Sequence, residues 1–165
     1  MIVIELIKAL QKQILFCEGE YNYRCGVYVA TEENKDIVMK IFNDIYPLTD
    51  REIEIRNNHY ESFIEYPNGN VIRIMQPSSS VRGQRFNGVI IDSNINQEVI
   101  NTIILPRLMP LRLINGMYDS NDNPRHREFH CSISKNDLIE FEKYMIKISE
   151  EQRKILEILP EFVGV

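Results

Sequence analysis

The run GVIID at residues 88–92 constrains this chain more than any other stretch. Four apolar residues in a row, Gly88 to Ile91, with β-branched side chains, are the mark of a strand buried on both faces. Such strands lie in the middle of a parallel sheet. The run ends in one carboxylate, Asp92, and ligands of open α/β sheets sit at the carboxyl ends of their strands. Asp92, with Ser93 behind it, is therefore where chemistry is expected. An Arg82-Gly83 step and a turn through Gln84 to Asn87 lead into the strand.

The flanking sequence supplies helices and further strands. From Ile2 to about residue 18, Leu6, Ile7, Leu10, Ile14 and Leu15 recur at three-and-four spacing, which predicts an amphipathic helix. Residues 24–30 (RCGVYVA) read as a core strand. Thr31 then caps a helix that carries Glu32 and Glu33 in its first turn and buries Ile37, Val38, Ile41, Phe42 and Ile45. Residues 51–76 alternate polar and apolar around the turn Pro67-Asn68-Gly69-Asn70. That pattern predicts a hairpin, or three short strands, near a sheet edge.

Val99, Ile100, Ile103 and Ile104 repeat the helical spacing, and Pro106 stops it. The middle of residues 107–125, with two prolines, Gly116 and the run YDSNDNP, reads as a loop. Residues 128–134 (EFHCSIS) read as a strand, and residues 136 to about 159 as one or two helices. Leu138, Phe141, Tyr144, Met145 and Ile148 point inward there. The order αβα, ββ(β), βα, βα gives the fold class: α/β, three-layer, a mostly parallel sheet with an added antiparallel hairpin.

Composition narrows the function. A length of 165 residues predicts a single domain, 1–165, with room for a core. A net charge of −5 argues against coating nucleic acid by bulk electrostatics and leaves room for a local basic patch. Cys17, Cys25 and Cys131 form no CxxC, which fits reduced, buried thiols in a cytoplasmic protein. No apolar run reaches the ~18 residues of a membrane span, so no membrane partner is expected.

In order and spacing these segments resemble the ATPase domain of phage large terminases, the motors that package viral DNA. The likeness covers roughly Tyr23 to Ser134. It rests on VYVAT with the helix behind it, FIEYPNGNVIRI, the Ser-rich and Arg-Gly element SSSVRGQRF, the Walker B-like GVIID, QEVINTIILPRL and the coupling strand FHCSIS. The resemblance implies a P-loop-NTPase-like fold, with Asp92 as a Walker B relic. Two parts of that machinery are absent from the sequence. None of the seven glycines is followed by lysine, so no phosphate loop of the GKS or GKT type exists, and Ser93 stands where the catalytic Glu belongs. The first helix takes the place of the helix that follows the phosphate loop, so the likeness is to a truncated domain. Positioning and charge stabilisation are nearly all of phosphoryl-transfer catalysis. The expectation is a protein that is not an ATPase alone, with no cofactor, and with Mg²⁺ and ATP bound only if another chain completes the site.

Asp92 is accordingly the one candidate metal ligand, weighed against a strand-end Asp that caps the following loop. Arg82 and Arg85, beside Ser78, Ser79 and Ser80, could grip phosphate oxygens, which guanidinium forks match. Arg107, Arg112, Arg125 and Arg127 form a second candidate binding surface, weighed against a solvated loop. His126, His130 and Cys131 invite a zinc reading. A strand across 128–134 opposes it, since i and i+4 lie ~13 Å apart in a strand. The expected role is that of a non-catalytic phage protein, in the host cytoplasm, that binds a protein partner as inhibitor or regulator, with a homo-oligomer also open. The alternatives are a terminase subunit needing a phosphate loop from elsewhere, and a nucleic-acid-binding module.

Overall fold

The structure is a computed structural model that describes residues 2–19, 21–45, 53–57, 61–77, 84–113, 115–136, 138–143 and 146–147. In chain order the elements begin with helix α1 (Ile2–Glu18), strand β1 (Arg24–Tyr28) and helix α2 (Glu32–Ile45). Strands β2 (Glu54–Asn57), β3 (Glu61–Glu65), β4 (Val71–Met75) and β5 (Gly88–Asp92) follow. Helix α3 (Gln97–Val99) runs directly into a π-helical turn (Ile100–Ile104) and a 3₁₀ turn (Leu105–Arg107). A further 3₁₀ turn (Pro124–Arg127) leads into β6 (Glu128–Cys131), and residues 135–136, 138–143 and 146–147 are helical (α4).

The six strands form one sheet in the order β2-β3-β4-β1-β5-β6. β1 pairs in parallel with β4 and β5, and β5 pairs in parallel with β6. β3 is antiparallel to both β2 and β4, so residues 54–75 are a meander grafted onto the parallel core. The α/β class and the three layers are those expected from the sequence. β5 is buried at every position, because β1 and β6 cover its two edges and helices cover its two faces.

Alternation along the strands makes two cores. Cys25 and Val27 of β1, Ile72 and Ile74 of β4, and Ile90 of β5 face α1, α2 and Phe141 of α4. Tyr28, Val89 and Ile91 point to the opposite face, under Ile100, Ile104 and Leu108. Burying an aliphatic side chain contributes about 1.5–3 kcal/mol, so these two layers dominate the stability.

Local signals explain the boundaries. Thr31 Oγ1 accepts from Asn34 N at 3.2 Å, capping α2 as expected. The Pro67–Asn70 turn closes by Tyr66 N donating to Asn70 O (2.8 Å). It needs Gly69, whose φ of 90° disfavours any side chain.

Two expectations change. Leu15 is 68% exposed, because the buried stripe of α1 runs through Leu6, Leu10, Gln13 and Cys17 instead. The segment after β5 is not a regular α-helix. Its middle widens to π geometry and Pro106 sits inside the closing 3₁₀ turn, which leaves Ile103 half-buried while Ile100 and Ile104 are buried. Of the expected inward residues at the carboxyl end, Tyr144, Met145 and Ile148 lie outside the described residues.

Candidate functional site

The carboxyl edge of the sheet was the expected site. β1 is followed by α2 on one face and β5 by α3 on the other, so the crevice between β1 and β5 is the switch point where α/β sheets bind ligands. Asp92 stands in that crevice, fully buried. Its Oδ2 accepts from Ala30 N (3.0 Å) and Asn34 Nδ2 (2.8 Å). Its Oδ1 accepts from Asn94 N (3.0 Å) and Asn94 Nδ2 (2.9 Å). A carboxylate offers about four lone-pair sites, and here four N–H donors take them. A metal at Asp92 would have to displace one of those donors. Ser93 is exposed, and its N–H donates to Cys131 O at 2.9 Å.

The open site lies at the other end of the strands. A cleft of about 460 Å³ is lined by Arg24, Arg85 and Arg112, by Asn22, Asn68, Asn70 and Asn87, and by Tyr23, Gly69 and Tyr118. Among the described residues no carboxylate lines it. Arg24 opens β1 and Arg85 precedes β5, and both are exposed, with no carboxylate partner among the described residues. Arg112 arrives from the loop that follows Pro110. Its backbone bridges Asn22 on one side and Tyr118 on the other, with Asn22 N donating to Arg112 O at 3.1 Å. Its guanidinium lies over the Tyr118 ring, 5.9 Å from the centroid, and Nε donates to Gly116 O at 2.9 Å.

The asparagines build the wall. Asn70 Oδ1 accepts from Tyr23 N (2.8 Å), while its Nδ2 donates to Cys17 O (2.9 Å) and Tyr21 O (2.8 Å). Asn87 Oδ1 accepts from Arg24 N (3.0 Å), and its Nδ2 donates to Pro110 O (2.7 Å). Each precedes a neighbour of β1, so the start of β1 is pinned on both sides. With the amides committed to the backbone, the arginines are the groups left to meet a ligand. A concave site lined by three arginines, with no acid among the described residues, is electrostatically a site for an anion.

The structure brings together only some of the arginines read from the sequence. Arg85 and Arg112 meet in the cleft, joined by Arg24, which the sequence reading missed. Arg82, with Ser78 to Ser80, lies outside the described residues. Arg127 is buried and turned inward: Nε donates to Asn87 O (2.7 Å) and Nη1 to Asp122 Oδ1 (2.7 Å), with Nη2 on Asp122 Oδ2. This fork, helped by the Leu111 N–H, holds the Asp122 carboxyl below its ordinary range. Arg125 is exposed and pairs with Glu128. Arg107 is half-buried on the face that carries Tyr28. Its Nη1 and the Tyr28 hydroxyl both lack full hydrogen-bond geometry with any described residue. The guanidinium is still close enough to oppose the upward push that burial gives the Tyr28 phenol.

His130 pairs with Glu128 on the surface (2.9 Å), whereas Cys131 of the same strand is buried. Among the described residues no three of His, Cys, Asp and Glu gather as a metal-binding group. No described helix is long and apolar enough to cross a membrane.

No family model matches the chain, and no curated protein or solved structure is detectably similar to it.

Proposed function

We propose that this chain works by binding rather than by turnover, and that the arginine cleft at the amino edge of its sheet is the working surface. The observation that carries this reading is the contrast between the two edges. At the carboxyl edge Asp92 is saturated by four internal donors. At the amino edge Arg24, Arg85 and Arg112 line one cleft in which no described residue is a carboxylate. Guanidinium groups without internal carboxylate partners bind anions strongly when the geometry is concave. The ligand is then an anionic group, free or carried by a partner molecule. Taken with the resemblance to terminase ATPase domains, the role is that of a non-catalytic viral module that regulates a larger machine.

Calorimetric titration with pyrophosphate in EDTA tests the reading. Micromolar binding is expected, weakening as salt rises and falling at least tenfold in Arg85→Ala and in Arg112→Ala. A silent titration at low salt would sink it.

The second reading is a packaging-motor ATPase subunit whose phosphate loop comes from another chain. It draws support from the position of Asp92 at the β1–β5 switch point. It expects Mg²⁺-dependent binding of an ATP analogue, which the cleft reading does not.

A further inference from the structure

We infer that the ligand of the amino-edge cleft is a nucleoside di- or triphosphate, its phosphates on Arg24 and Arg85 and its base against Tyr118. The inference rests on the reading of the cleft as the working site and adds the identity of the ligand.

Three observations select this class. The first is size: about 460 Å³ lies within the 300–1,000 Å³ of small-molecule sites. A nucleic-acid strand is tracked by an extended basic stripe on a basic domain, whereas here the three arginines are confined to one concavity on a chain of net charge −5.

The second is the aromatic wall. Tyr118 is 43% exposed although it lines the cleft, and Arg112 lies over its ring. An inorganic anion would leave that ring unused. A planar base would stack on it, and Arg112 would polarise the stack from the ring side while its charge serves the phosphates.

The third is rigidity. The Asn70 side chain makes three hydrogen bonds to backbone and the Asn87 side chain makes two. The wall is therefore formed before the ligand arrives, which spares the ordering cost of binding. Because guanidinium groups neutralise the phosphates and no described carboxylate lines the cleft, binding needs no divalent cation.

The test is titration of the full chain in EDTA with ADP, GDP, CDP and UDP, set against pyrophosphate, the nucleosides and a 5′-phosphorylated oligonucleotide. The tightest nucleoside diphosphate is expected to bind roughly tenfold or more tightly than pyrophosphate, a margin set by one base–aromatic stack. Tyr118→Ala should erase that margin, Tyr118→Phe should keep it, and Arg85→Ala should weaken both ligands. Circular dichroism melts of each variant establish that the fold is intact. If pyrophosphate binds but no nucleotide binds more tightly, or if Tyr118→Ala leaves nucleotide affinity intact, the nucleotide assignment falls and the anion cleft stands. Tighter binding of the oligonucleotide than of any mononucleotide overturns the assignment in favour of a strand. If neither pyrophosphate nor nucleotide binds, both readings fall together.

Discussion

The hydroxyl of Tyr23 lies 2.0 Å from the point that a β-carbon on Gly88 would occupy. That hydroxyl donates to Gln13 Oε1 at 2.5 Å, and the same oxygen lies 2.8 Å from the Gly88 point. Helix α1, the lead into β1 and the first residue of β5 therefore meet where only a hydrogen fits. The Gly88 position is buried and backed by ring and helix, so the neighbours have little room to yield. Gly88→Ala is expected to cost about 1–3 kcal/mol, the usual range for overpacking. Tyr23→Phe in the same chain should recover part of that loss, since it removes the closest atom. Urea midpoints of the two single variants and the double variant give the coupling directly. Additive effects would count against the contact.

Asp92 ties β5 to β1 and α2 through Ala30 and Asn34, and to its own turn through Asn94. Truncation strands several buried donors at once, and each unsatisfied group costs about 1–3 kcal/mol. Asp92→Ala should therefore destabilise by about 3–5 kcal/mol, read as a shift in urea midpoint. A loss under about 1 kcal/mol would mean that the network contributes little.

The Asp122–Arg127 pair sets an acid limit. The Asp122 carboxyl titrates below its ordinary value of 3.8, chiefly because Arg127 hydrogen-bonds its charged form. On acidification the unfolded chain takes up this proton before the folded chain does. The stabilisation is thus complete above the ordinary value and is lost as pH falls through the lower, folded value. Urea titrations between pH 6 and 2.5 should show a falling midpoint that is flatter in Asp122→Asn. Parallel curves for wild type and variant would refute the assignment.

The three thiols should be unreactive in the folded protein. All three cysteines are buried and free. Burial pushes Cys131 up to about 12, and pushes Cys17 and Cys25 up as well, with nearby charges acting in the same direction. The thiolate is the reactive form, so a disulfide reagent at pH 8 should label none in native buffer and three in urea. Fast labelling of any one in native buffer would show local opening there.

Much of the fold was legible because hydrophobic period is a local property. GVIID could be read as a doubly covered strand, since an unbroken apolar run has no solvent face to spare. Thr31 and the Pro67–Asn70 turn were legible because caps and turns are made by neighbours in sequence. Leu15 and the π-helical turn were not. Three-and-four spacing defines a stripe broad enough to include Leu15 but not which rim of the stripe meets the sheet. The widening at Ile100–Ile104 leaves no mark in the sequence, where Val99, Ile100, Ile103 and Ile104 keep regular helical spacing.

The site divides the same way. From sequence alone, the α/β class, the central strand and a carboxylate at its carboxyl end follow from periodicity and residue type. Tertiary structure alone decided that Asp92 would be filled by Ala30, Asn34 and Asn94, that Arg127 would turn inward to Asp122, and that Arg24, Arg85 and Arg112 would share one cleft. Those three arginines are up to 88 residues apart, from position 24 to position 112. They meet because parallel pairing places the starts of β1 and β5 side by side and the Asn22–Arg112 bridge folds the later loop against them. Charge carries no period, so a guanidinium's partner is set by the chain that packs beside it and not by its neighbours in sequence.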